Sequence, residues 1–289
     1  MKQKKEETQV AKAETTAVAT SAPPQAPSGI LPSDVIIPRL LLMQGTSDFV
    51  KDRIKTPDGA TIQLGDMVKS TSKEVLGNPD QPLEFIPLAE PAPTWINECK
   101  PVGGNRYEFR GIEPRTAKND TLPWNYVADK DRNEVPAGTP GALEWRRVKC
   151  LSLFALLPAD IKAYAEEMKK AEAGEMPDLS KALTPILITF RSTGFTAGKE
   201  VVTFFSQAQQ FNQPAWKYKL KLSNFLDKND QGTFYVFKVD RAKPTPVAKE
   251  DLQHVQYWAN IVATTTLRVD DTDEGSSASE QGGAGGGNF

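Results

Sequence analysis

Two runs that alternate with period two, WKYKLKLSN from Trp216 to Asn224 and TFYVFKVDR from Thr233 to Arg241, flank the turn segment DKNDQG and constrain the fold more than any other feature. Period-two patterning on both sides of a turn rich in Asp, Asn and Gly specifies an antiparallel hairpin with one buried face. In the first run Trp216, Tyr218, Leu220 and Leu222 share one face, and Lys217, Lys219 and Lys221 share the other. If the aromatic face enters a core, the lysines form a ladder with a rise of about 7 Å, close to the phosphate spacing of an extended single strand.

Upstream, LTPILITFRSTGF reads as a strand, and GKEVVTFFSQAQQF places Val201, Phe204, Phe205, Ala208 and Phe211 at helical spacing. The order is therefore strand, helix, hairpin. Pro158 opens a second helix with Ile161, Tyr164, Met168 and Ala171 on one face and Gly174 at its end. A last helix is expected from Val247 to Val262, with Pro246 in its first turn and Leu252, Val255, Trp258 or Ala259, and Val262 facing inward. Strand-like pieces recur at VIIPRLLLMQG (interrupted by Pro38), LEFIPLAE and ALEWRRVKCLSLFALLP. The expected fold class is α+β, mainly β: an OB-like β-barrel with added helices. Residues 1–28, ending in the proline-rich SAPPQAPSG, read as a disordered arm, 29–269 as the body with a loop-rich insertion at about 91–141, and 270–289 as a disordered acidic and glycine-rich tail.

Several function classes lose support. Residues 1–10, MKQKKEETQV, lack the apolar core of a signal peptide, and no stretch approaches the length of a membrane span, so a soluble, cytoplasmic protein is expected. Cys99 and Cys150 are too few and too far apart for a disulfide framework; they bracket a segment where a zinc module could once have sat, but two ligands do not hold zinc. His254 is the lone histidine, which removes most triads and histidine metal sites. GFTAGKE is one residue short of a phosphate loop and ends in Glu200 where a hydroxyl is needed; DKDRNE from Asp129 has Glu134 in place of the glycine of a calcium loop. An enzyme is not expected, and neither is a cofactor or metal.

What remains is cationic and aromatic. LEWRRVKC holds Trp145, Arg146, Arg147 and Lys149; NRYEFRG holds Arg106, Tyr107, Phe109 and Arg110; PWNYV adds Trp124 and Tyr126. A sequence-tolerant binder of single strands needs cations for the backbone and aromatic faces for the bases. The candidates for phosphates are Lys217, Lys219, Lys221, Arg191, Arg146, Arg147 and Lys149, and those for stacking are Trp145, Trp124 and Tyr107; Trp124 and Tyr126 equally fit a small core beneath a long loop. The charge distribution agrees: residues 270–289 hold five acids (Asp270, Asp271, Asp273, Glu274 and Glu280) and no base, while residues 29–269 hold 31 bases against 29 acids. A tethered polyanion ending in Phe289 can lie in a basic groove or offer its terminal aromatic to partner proteins.

The tail DDTDEGSSASEQGGAGGGNF, the region ITFRSTGFTAGKEVVTFFSQAQQFNQPAWKYKLKLSN followed by GTFYVFKVDR, and the openings VIIPRLLLMQGTSDFV and GDMVKSTSKEVLG together resemble phage-type single-stranded DNA-binding proteins. Those have OB-fold bodies and acidic C-terminal tails ending in phenylalanine. The resemblance implies protection of single-stranded DNA and recruitment of replication or recombination proteins through Asp270, Asp271, Asp273, Glu274 and Phe289. The alternative is a non-enzymatic structural or adaptor protein of a phage. Oligomeric state stays open.

Overall fold

A computed structural model describes residues 35–104, 107–229 and 232–270. The arm at 1–28, the tail residues Asp271, Asp273, Glu274 and Phe289, and Arg106 lie outside the described residues. The first apolar run is split at Pro38 into β1 (Ile36–Ile37) and β2 (Arg39–Leu42). There follow α1 (Asp48–Lys51), β3 (Met67–Lys69), β4 (Val75–Gly77), β5 (Leu83–Pro87), β6 (Ala92–Pro101), β7 (Glu108–Pro114), β8 (Asn125–Ala128) and β9 (Leu143–Leu156). The segment at about 91–141, expected to be loop-rich, thus contributes three strands. The remainder is α2 (Pro158–Glu172), β10 (Ile186–Arg191), α3 (Phe195–Gln210), β11 (Tyr218–Asn229), β12 (Gly232–Pro246), α4 (Leu252–Thr264) and β13 (Arg268–Val269). Strand accounts for 39% and helix for 26%, so the α+β, mainly β expectation holds.

β9 is the spine of the main sheet. On one edge it pairs with β6 and then β5; on the other it pairs with β8 from Leu143 to Arg146 and with β10 from Cys150 to Ala155. Beyond β5 lie β11 and β12, and beyond β10 lie β2, β3 and β4. The sheet is open and not a closed barrel. Its two ends are β12 and the three-residue β4, and among the described pairings no ladder joins them.

Side chains tie the two ends instead. The Gln44 amide accepts from the Tyr235 N–H and donates to the Tyr235 carbonyl, both at 2.9 Å, in the manner of a strand on the outer edge of β12. Asn224 Nδ2 donates to the Gly65 carbonyl at 2.9 Å. Gly65 has φ +83°, and a Cβ there would lie 2.7 Å from Tyr235 Cε1. Gly65→Ala is therefore expected to lower stability by more than the roughly 1–2 kcal/mol of a left-handed non-glycine residue. Urea denaturation reads the loss, and faster hydrogen exchange of the Tyr235 amide reads the parting of the ends.

The core on one side of the sheet joins Phe85, Leu153, Ile188, Phe190, Leu220 and Leu222 to Val201 and Phe204 of α3. On the other side α2 and α4 cover Ile86 and Leu156 through Ile161, Val255 and Ala259. α4 begins later than its periodicity suggests, because β12 runs on to Pro246 and the Val247 N–H donates to the Lys217 carbonyl at 2.8 Å. Pro246 thus ends a strand. His254 is half-buried and meets Tyr164 edge-on at 5.4 Å.

Asp270 is not part of a free tail. β13 pairs in parallel with β1, the Asp270 N–H donates to the Ile37 carbonyl at 2.8 Å, and the buried carboxylate accepts from Ser70 Oγ at 2.5 Å. Ser70 Oγ in turn accepts from the Arg39 N–H. Asp270→Ala should cost about 1–3 kcal/mol, the range for breaking a buried hydrogen bond; thermal melts check it. A tail truncation must therefore end after Asp270.

Cys99 and Cys150 are free, buried thiols, and among the described residues no group of three or more His, Cys, Asp or Glu is arranged to hold a metal. Burial pushes the Cys150 thiol up to about 12 from 9.0. The thiol form is favoured by folding, so the stability it contributes is full below pH 9 and lost as the pH climbs towards 12. Cys150 should stay unmodified by a disulfide-exchange reagent at pH 8 until denaturant is added.

Candidate nucleic-acid interface

Strand alternation in β9 sorts the basic run LEWRRVKC onto two faces. Trp145, Arg147 and Lys149 share one face, and Arg146, Val148 and Cys150 share the other. Adjacent arginines therefore have different surroundings.

On the first face Arg147 is 4% exposed. Its guanidinium binds Glu113 at 2.8 Å and the Asn119 carbonyl at 2.5 Å and lies 4.4 Å from the Trp95 ring centroid. It is committed to the fold, which corrects its assignment to phosphates. Trp145, 4% exposed, is likewise not a stacking platform: Tyr126 stacks on it at 6.3 Å, Arg132 covers it at 5.2 Å, and its Nε1 donates to the Asp129 carbonyl. Here the small-core reading fits Tyr126, whereas Trp124 is 68% exposed. Lys149 is exposed, with its ammonium 5.6 Å from the Trp95 centroid. Trp95 itself is buried, and its Nε1 donates to Asp120. The Arg115 hydrogen bond holds the Asp120 carboxyl below its usual range.

On the opposite face, candidates far apart in sequence meet. Arg146 Nε and Arg191 Nη1 bind the two oxygens of Glu98 at 2.5 and 3.0 Å. Glu98, on β6, is in register with Arg146, and its side chain is 7% exposed, against 40% for Arg146 and 45% for Arg191. Tyr107 lies beside them, its ring centroid 4.0 Å from the Arg146 guanidinium and 5.0 Å from the Lys100 ammonium. One buried carboxylate thus fixes two half-exposed guanidiniums and leaves the trio with one net positive charge. Glu98 was missed in the sequence; the available signal was a charged residue inside the otherwise closed strand TWINECK.

The lysine ladder is shorter than expected. Leu220 and Leu222 are fully buried, which confirms the alternation, but Lys217 sits in a 3-10 turn, Ala215–Lys217, because Trp216 turns away to pack beside α2 and α4. The two ladder lysines that fall in β11 stand beside acids: Lys219 binds Glu84 at 3.5 Å, and Lys221 is in register with Glu84 on β5 and Asp240 on β12. Of the sequence candidates, the structure gathers Arg146, Arg191 and Tyr107, places Lys149 and Trp124 close by along β9, and leaves Lys219 and Lys221 in a separate, partly neutralised strip.

No protein-family model, curated protein or solved structure matches this chain.

Proposed function

We propose that the protein binds single-stranded DNA without strong sequence preference, as a non-enzymatic component of phage replication or recombination in the host cytoplasm, and that its tail recruits partner proteins. The sheet, with its ends tied by Gln44 and Asn224, serves as the OB-like platform of this reading. One observation carries it: two guanidiniums pre-set on a buried carboxylate beside an aromatic ring, Arg146 and Arg191 on Glu98 with Tyr107. A pre-set pair loses little side-chain entropy on meeting phosphates, and Arg suits phosphate geometry. The rival reading, a structural or adaptor protein, draws on the exposed apolar side chains of Phe211 and Leu226. It predicts a defined oligomer and no oligonucleotide binding.

Polarisation of a labelled oligodeoxythymidylate at low salt separates the two. Glu98→Gln raises the net charge of the trio and should tighten binding. The triple variant Arg146→Gln, Arg191→Gln, Glu98→Gln avoids a stranded buried carboxylate. It should weaken binding and flatten the log–log salt slope by about 1.4, or roughly 0.7 for each of two lost phosphate contacts. Wild-type protein that binds no oligonucleotide at low salt would sink the proposal.

A further inference from the structure

The ladder along β9 has a gap. β8 pairs only as far as Arg146 and β10 starts at Cys150, so among the described residues Arg147, Val148 and Lys149 have no strand partner on that edge. Trp124 stands at one lip: its carbonyl accepts the Arg147 N–H at 2.8 Å, and the next residue, Asn125, is in register with Arg146. Arg191 stands at the other lip, in register with Cys150. Lys149 is exposed between them.

Trp124 is 68% exposed, while Trp95 and Trp145 are buried and Trp216 and Trp258 are half-buried. An exposed indole whose own carbonyl is hydrogen-bonded to β9 presents a flat apolar face to water, and such a face is suited to stacking against another flat ring. Nearby cations favour an anionic occupant, and an occupant with flat apolar faces and regularly spaced charges fits both requirements. We infer that this gap is a base-stacking subsite: a single strand held by Arg146 and Arg191 on one face of β9 crosses its edge, placing a base on Trp124 and a phosphate at Lys149. The inference rests on the DNA-binding reading. It adds a route that joins the two faces on which strand alternation places the cations.

The test is tryptophan emission and polarisation with oligodeoxythymidylate and with an abasic oligomer of equal length. Oligodeoxythymidylate should quench wild-type emission, and Trp124→Phe should remove most of the quench while retaining most of the affinity. Trp124→Ala should lose roughly tenfold in affinity for the base-bearing strand, the order expected for one stacked base. It should bind the abasic strand as wild type does, with an unchanged salt slope and melting temperature. If Trp124→Ala binds oligodeoxythymidylate as tightly as wild type, the subsite is wrong and the DNA-binding reading survives. If the wild-type protein binds neither oligomer, both fall, and Trp124 with its exposed neighbour Leu122 is a protein-docking knob.

Discussion

Phe190→Ala should destabilise the body by about 3–5 kcal/mol, the range for emptying a buried phenylalanine site. Phe190, the next-to-last residue of β10, is fully buried and meets Phe237 of β12 edge-on, with centroids 6.0 Å apart. The site cannot collapse easily. β10 pairs with β9 at Phe190 itself and with β2 two residues earlier, at Leu187 and Ile188, which restrains the backbone from moving into the space. From the third direction, α3 presses close at Gly198, where a Cβ would lie 3.0 Å from Phe190 Cβ and 2.9 Å from Leu151 Cδ1. With about 2–4 °C per kcal/mol for a body of this size, the melting temperature should fall by roughly 6–20 °C. A fall of only a degree or two would mean that α3 settles into the space. The same measurement tests whether α3 and both arms of the sheet share one core, since a single cooperative transition should persist at the lower temperature.

That core was readable in the sequence because its signals are local. The alternation Leu220, Leu222 and the spacing Val201, Phe204, Ala208 each report one face of one element, and those faces are the ones buried. What the local signals omit is which elements meet. β9 is read correctly as a strand, but alternation alone does not reveal that Arg147 lies beneath the Asn119 segment while Arg146 reaches Glu98, because both partners are more than 25 residues away. The closed barrel failed for a similar reason. The two ends of the sheet meet through Gln44 and not through a ladder, and a glutamine that caps a strand edge looks in sequence like any other loop residue. Lys217 was misplaced because periodicity continues through WKYKLK although Pro214 and the packing of Trp216 hold a turn there. Asp270 resembles its acidic neighbours until β13 finds β1, a pairing across more than two hundred residues.

Arg147→Ala should behave as a folding mutation and not as a binding one, with a loss of about 3 kcal/mol, the lower end for breaking a buried ion pair. The lower end applies because Glu113 keeps Arg132 at 3.3 Å and its side chain is 24% exposed, so its carboxylate is not stranded. The other losses have no such relief. The Asn119 carbonyl loses its guanidinium donor, and the face of Trp95 loses the cation lying 4.4 Å from its centroid. Arg147→Lys should rescue little, since an ammonium cannot reach Glu113 and Asn119 together while lying flat on an indole. Arg146→Gln paired with Glu98→Gln is the contrasting case: one residue away, on the opposite face and 40% exposed, it should leave the melting temperature within a few degrees while weakening the oligonucleotide complex. If the two neighbours instead changed stability alike and affinity alike, the two-faced assignment of β9 would be wrong, and with it the separation of cations that build this lobe from cations that serve a ligand.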